Sequence, residues 1–272
     1  MKTRVKTKNK LYLIATPIGN LGDITFRAIE TLKSVDVIYA EDTRVTQKLL
    51  NHYSINKPLR SYHDHNEEEM ALEIKNALLE GLNIGLVSDA GTPLISDPGY
   101  KVVDLIKDEY EIISIPGASA TLTALTVSAL PPQPHTFIGF LDTKENKRRE
   151  ILNTFKYVPS TLIFYERGTR LEGIVKEMYE VFGKRRAVIA RELTKLYETI
   201  YDFNLGEKLD VELKGEFVLL VEGYKRKEIT DERIKEEVLF LIKQGLTRKD
   251  AIISASKRLG VNKNKVYEVV IK

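Results

Sequence analysis

The chain contains no cysteine. It can form neither a disulfide nor a thiolate metal site, which fits a reducing cytoplasm. Only four histidines occur in 272 residues, none in an HExxH pair, so a metal enzyme is not expected. No apolar run approaches the length needed to span a bilayer, and no membrane association is expected. The basic start at residues 1–10 lacks an apolar stretch behind it. It reads as a frayed terminus rather than a signal peptide.

What is present suffices for a globular enzyme. With 43% hydrophobic and 30% charged residues, the chain can bury a core and stay in solution, as one large domain or two ordinary ones. The net charge of +3 conceals an asymmetry. Residues 225–272 hold 13 Lys/Arg against 7 Asp/Glu, while the first 224 hold 29 against 32. A basic tail on a slightly acidic body points to a polyanionic partner, although a solvated surface gives the same signature.

The organising stretch is residues 87–99, Val-Ser-Asp-Ala-Gly-Thr-Pro-Leu-Ile-Ser-Asp-Pro-Gly. It follows a buried-strand pattern at 84–87 and precedes a helical one at 100–107. Two glycines and two prolines fix its shape, and such a loop at the carboxyl end of a strand is where open α/β sheets bind ligands. Ahead of it, residues 11–15 and 35–40 read as strands. Residues 16–23 form a turn that could receive an anion on free amides, but the turn is neither GxGxxG nor a P-loop. Asp23 suits the N-cap of the helix behind it, whose Ile24, Ala28, Ile29 and Leu32 share a face. Glu41-Asp42-Thr43-Arg44 either faces a site or caps the next helix. His63 and His65 belong to a polar loop or to a metal site, and Asn66 with Glu69 has capping-box spacing.

Past a strand at 111–115, Pro116-Gly117-Ala118-Ser119-Ala120 opens a small-residue helix at 121–130. Pro131-Pro132-Gln133-Pro134 then marks a linker. Domains are therefore expected at 1–130 and 135–223, with a helical segment at 225–272. Strands are expected at 136–140, 161–165, 187–190, 197–203 and 217–221, and the alternation of the fourth suggests antiparallel pairing. Residues 144–149 make a basic helix start. The tail reads as three short helices, either a helix-turn-helix-like nucleic-acid binder or a buttress for the body.

Several of these motifs together carry a resemblance. Thr16-Pro17-Ile18-Gly19-Asn20-Leu21, Ala40-Glu41-Asp42-Thr43-Arg44, His63-Asp64-His65-Asn66-Glu67 and residues 88–99 resemble signatures of the bacterial ribosomal small-subunit RNA methyltransferase I family. Pro116-Gly117-Ala118-Ser119-Ala120, Phe164-Tyr165-Glu166 and Ala190-Arg191-Glu192-Leu193-Thr194-Lys195 do likewise. That family comprises 16S rRNA cytidine 2′-O-methyltransferases within the tetrapyrrole methylase superfamily. The resemblance runs from about Leu11 to the C-terminus.

It implies two α/β domains of tetrapyrrole-methylase type, S-adenosyl-L-methionine (SAM) in the cleft between them, a cytoplasmic homodimer, and 16S rRNA of the small ribosomal subunit as partner. By position Pro17, Ala90, Gly91, Thr92, Ile95, Ser119, Ala120, Glu192, Gly215 and Glu216 would meet the cofactor. Gly91-Thr92-Pro93 stands where related methylases have Gly-Asp-Pro, so a hydroxyl replaces an acidic contact. Candidate proton acceptors are Asp42, His65 and Glu166. Candidate RNA contacts are Arg44, Lys147, Arg148, Lys195, Arg248, Lys249, Lys257 and Arg258. Two rival readings are a precorrin-type C-methyltransferase, which would not need a basic tail, and a ligand-sensing nucleic-acid-binding regulator, which would release no S-adenosylhomocysteine.

Overall fold

The computed structural model describes residues 7–63, 66–225 and 229–271. It holds two compact units, Met1–Tyr224 and Lys225–Lys272. The larger is α/β with two sheets. In the first, β1 (Lys10–Ile14), β2 (Val37–Ala40), β3 (Leu59–Ser61), β4 (Ile84–Val87) and β5 (Glu111–Ile115) lie in the order β3-β2-β4-β1-β5, all parallel. Parallel strands need helical crossovers, so both faces are covered and the inner strands β2 and β4 are buried on both sides. The alternation is visible along β2. Val37 and Tyr39 join a core with α3 (Glu67–Leu79) and α4 (Tyr100–Ile106), while Ile38 and Ala40 join one with α1 (Phe26–Ser34) and α2 (Thr43–His52).

Helix starts follow their caps. Thr25, not Asp23, caps α1, its hydroxyl accepting from the Ala28 amide at 3.1 Å. Asp23 instead closes a short 3-10 turn, Leu21–Asp23, that Asn20 caps. Asn66 does not close a capping box on α3; its side-chain oxygen accepts from the His63 amide at 2.8 Å.

The second sheet comprises β6 (His135–Phe140), β7 (Thr161–Arg167), β8 (Arg186–Arg191), β9 (Thr199–Asn204) and β10 (Glu216–Val221), in the order β6-β7-β10-β8-β9. β6 and β7 are parallel, and every other pair is antiparallel. One face packs on α6 (Glu145–Phe155) and α7 (Gly168–Phe182) through Leu152, Leu171, Phe217 and Leu219. The other face buries Ile163, Val188, Val218 and Leu220 against Ala124 and Leu125 of α5 (Ala120–Val127) and against Ile18. Helix α5 therefore ties the loops of the first sheet to the second sheet. β7 extends two residues beyond the expected Tyr165, so Glu166 and Arg167 sit in the ladder opposite Phe217 and Glu216.

The smaller unit is three helices, α8 (Asp231–Lys243), α9 (Arg248–Leu259) and α10 (Lys263–Ile271), around Ile234, Val238, Leu241, Ile252, Ala255 and Val266. Thr230 caps α8, and Thr247 caps α9 through the Asp250 amide. Gly260 ends α9 at φ +60.

Candidate functional site

The carboxyl ends of the parallel strands release their loops at one edge, and hydrogen bonds lace those loops together. The Thr16 amide donates to the Gly91 carbonyl at 2.8 Å and the Gly91 amide returns to Thr16 at 3.1 Å. The Thr16 hydroxyl donates to the Ser88 carbonyl, and the Ala15 amide to Ile115. In the central loop Leu94 and Ser96 hold φ of +73 and +70. For residues with a side chain such backbone costs on the order of 1–3 kcal/mol and persists where its surroundings over-determine it. Glu67 supplies part of that determination, its Oε1 accepting from the Gly99 and Lys101 amides at 3.0 and 3.3 Å and from the Tyr62 hydroxyl at 3.2 Å.

Across from these loops stand residues of β6, β7, β8 and β10 in the second sheet. The cleft between them measures about 550 Å³. Ala90, Gly91, Thr92, Ile95, Ser119, Ala120 and Glu216 all line it, with Ile18, Phe140, Tyr165, Glu166, Arg167, Ala190, Leu193 and Val218. Small residues along the loop edge leave backbone accessible. Tyr165 is anchored by its hydroxyl to Thr121 Oγ1 at 2.8 Å and packs edge-on to Phe137 and Phe140.

The other expected cofactor residues lie close by. Pro17 lines an adjoining chamber. Gly215 borders a shallow depression beside Arg167. Glu192, at φ +50, braces the wall: its Oε1 accepts from the Glu216 amide at 2.9 Å and from Lys195 Nζ at 3.0 Å. Gly215 makes room for that carboxylate, since a Cβ there would lie 2.7 Å from Glu192 Oε1.

Glu41, Asp89, Asp97, Glu166 and Glu216 put five carboxyl groups in the cleft wall beside Arg167, with Glu216 paired to Lys195 and Glu166 3.4 Å from Arg170. Such a wall favours a cationic ligand. Asp89, Asp97 and Tyr165 are not among the expected site residues, although each stands in a motif singled out above, and Glu41 belongs to the stretch expected to face a site or cap a helix. Glu166 is 3% exposed. Its Oε1 accepts from the Arg167 amide and faces Arg170 at 3.4 Å, while Oε2 is buried with no hydrogen-bond partner. Burial pushes its pKa up, more than Arg167, Arg170 and Arg148 pull it down. Asp89 is also raised, first by burial and further by the Asp42 charge, against the Asp42 amide that its Oδ1 accepts at 2.8 Å.

Asp42 is placed differently. Its carboxylate caps α2 through the Arg44 amide and pairs with the Arg44 guanidinium, which holds its pKa at about 2. Of the two alternatives for this stretch, Asp42 takes the helix cap while Glu41 lines the cleft. His65 lies outside the described residues.

The candidate RNA contacts divide in the same way. Arg148 is turned inward, forked onto Glu177 at 3.0 and 2.6 Å and bonded to the carbonyls of Asp142 and Thr143. Lys195 bridges Glu192 and Glu216. Arg44 pairs with Asp42, and Lys147 approaches Asp142 at 3.8 Å. In the smaller unit Arg248 donates to the Val270 carbonyl and Arg258 to Glu237. Lys249 and Lys257 are exposed. Among the described residues no helix is long and apolar enough to cross a membrane.

Comparison with known proteins agrees with this architecture. The family model for Tetrapyrrole (Corrin/Porphyrin) Methylases matches residues 10–209. A uroporphyrin-III C-methyl transferase from Thermus thermophilus, solved in complex with S-adenyl homocysteine, shares the fold at a TM-score of 0.55 and 21% identity, over 78% of this chain and 97% of that one. A ribosomal RNA small subunit methyltransferase I of Halalkalibacterium halodurans is 46% identical over 96% of this chain and 94% of its own. One from Bacillus subtilis is 44% identical over 95% and 92%. Identity at that level across nearly the whole length, basic tail included, sets this chain apart from the porphyrin enzymes that share only its fold, and it belongs to the ribosomal RNA small subunit methyltransferase I family of the tetrapyrrole methylases.

Proposed function

We propose that this protein transfers a methyl group from SAM to the 2′-hydroxyl of a cytidine in 16S rRNA, acting on the small ribosomal subunit in the cytoplasm as a homodimer. The observation that carries the reading is the pairing of near full-length likeness to rRNA methyltransferases with a cleft whose lining suits the cofactor. The cleft is of ordinary size for a small-molecule site. Its carboxylates suit a sulfonium, and Ala90, Gly91, Ser119 and Ala120 leave backbone open to an adenosyl group. The buried, unpartnered Oε2 of Glu166 offers an acceptor to a cation or hydroxyl.

Bound there, SAM supplies an electrophilic methyl group on a sulfonium. The residues of the chain do the rest. Thr92, Ile95, Ser119, Ala120 and Glu216 would hold and orient it, so positioning supplies much of the acceleration. A ribose hydroxyl seated beside it would receive that methyl group, and a carboxylate of the cleft would take the hydroxyl proton. A useful acceptor lines the cleft and has a raised pKa. Glu166 and Asp89 meet both conditions, and Asp42 meets neither.

A domain boundary at residues 131–134 and an RNA-gripping role for residues 225–272 belong to the same proposal. The apolar Leu122 and Val127 on α5 and Leu196 beyond β8, all exposed in one chain, support self-association. Mass spectrometry of 16S rRNA nucleosides from cells with and without the protein tests the reaction. The loss of one 2′-O-methylcytidine is expected, and an unchanged nucleoside profile would refute it.

A further inference from the structure

A second chamber of about 380 Å³ adjoins the cleft and shares Ile18, Asp89, Ala90 and Glu216 with it. The two cavities meet along these residues, but their other walls differ in kind. Leu21 comes from the first turn, and Val45 and Leu49 from one face of α2; Lys48 and Lys195 add positive charge. Leu21 and Val45 are each 40% exposed despite being apolar. Lys195 is held by Glu192 and Glu216, which leaves Lys48, exposed on α2, to meet an anion. The main cleft is more acidic, with five carboxylates, of which the chamber shares only Asp89 and Glu216, and no lysine.

An apolar slot with a cation at its rim suits a single unstacked nucleotide. Enzymes that do chemistry on a base take its nucleotide out of the stack into a pocket that packs the base between aromatic or apolar side chains, and a pocket of that kind would equally hold a nucleotide whose ribose is the acceptor. Lysines beside such a pocket take the phosphates. The geometry points to this second chamber as the seat of one splayed-out nucleotide of the rRNA substrate. Its base lies against Leu21, Val45 and Leu49, its phosphate on Lys48, and its ribose at the shared wall beside Asp89. This rests on the methyltransferase reading above and adds where the acceptor enters.

Three variants test it in the full chain. Val45→Trp fills the slot from an exposed helix position, Lys48→Glu reverses the rim charge, and Lys33→Glu on the exposed side of α1 is the control. Thermal melts check folding, calorimetry measures SAM affinity, and methyl transfer is followed against the concentration of small subunits purified from cells lacking the protein. Val45→Trp and Lys48→Glu are expected to keep SAM affinity while losing about tenfold or more in kcat/KM for the subunit, the scale of one lost base-stacking contact. Lys33→Glu is expected to match the wild type. If folded Val45→Trp transfers like the wild type, or loses SAM binding instead, the assignment is overturned while the function stands. Should Val45→Trp fail to fold, an unaltered kcat/KM in Lys48→Glu overturns it alone. A wild type that transfers nothing to the subunit sinks both proposals.

Discussion

Glu192 is the residue whose loss the structure converts most directly into numbers. Its carboxylate fills the space above Gly215 at φ +117, and one oxygen takes both the Glu216 amide and the Lys195 ammonium. Burial alone would raise its pKa, but the Glu216 amide and Lys195 overcome burial and hold it below the ordinary range. Glu192→Gln keeps the shape and removes the charge. A hydrogen bond to a charged group is worth about 1.5–3 kcal/mol. The Glu192 and Lys195 side chains are 19% and 30% exposed, so solvent screening brings the expected loss to about 1–2 kcal/mol. In a chain of this size that corresponds to roughly 2–8 °C in Tm.

The pH dependence carries the sign. A carboxylate whose folded pKa is depressed contributes stability above its unfolded value of about 4.3, and that contribution is lost as pH falls through the folded pKa. The gap between wild type and Glu192→Gln is therefore full near neutrality and closes below about pH 4. Thermal melts from pH 3 to pH 7 measure it. A gap of the same size at pH 3 as at pH 7 would refute the argument from charge.

Three further outcomes are expected. Ala90 is exposed in the cleft, so Ala90→Leu should abolish calorimetric SAM binding while circular dichroism stays native. In single turnover with saturating SAM, Glu166→Gln or Asp89→Asn should lose about 10² to 10⁴ in rate, the usual contribution of a general base; full activity in both would leave positioning as the whole of catalysis. A chain ending at Lys225 keeps the Tyr224 amide on the Val158 carbonyl and the Tyr224 ring against Tyr157. It should bind SAM normally, yet bind subunits more weakly and with a shallower salt slope. A truncation that keeps the full slope would remove the tail from RNA binding.

The first sheet was legible because parallel strands buried on both faces are written as short apolar runs, and the central loop because Gly91, Pro93, Pro98 and Gly99 punctuate it. What escaped depends on partners distant in sequence. α5 is a small-residue helix whose pattern does not say which sheet it serves, and it packs on the second. Arg148 sits in a run of basic residues, and only the approach of α7 shows that it serves Glu177. β3 has three residues, too few for any period to register. Asp23 and Thr25 are both good caps, and the choice between them fell to the 3-10 turn that consumed Asp23.

Asp42 shows how residue type and position can be right while the role differs. It stands at the carboxyl end of β2, where a proton acceptor belongs, but its oxygens are spent on Arg44 and on the first turn of α2. Its amide donates to Asp89 Oδ1, and its negative charge helps raise Asp89. Asp42 therefore acts on the cleft through Asp89, which lines both chambers. Asp42→Asn preserves the amide, and Asn is as good a cap as Asp. It removes one of the charges that keep Asp89 protonatable. The rate should hold near wild type at neutral pH, with the acidic limb of its pH profile displaced downward if Asp89 is the acceptor. An unmoved limb would leave Glu166, whose raised pKa has burial as its largest cause and no contribution from Asp42.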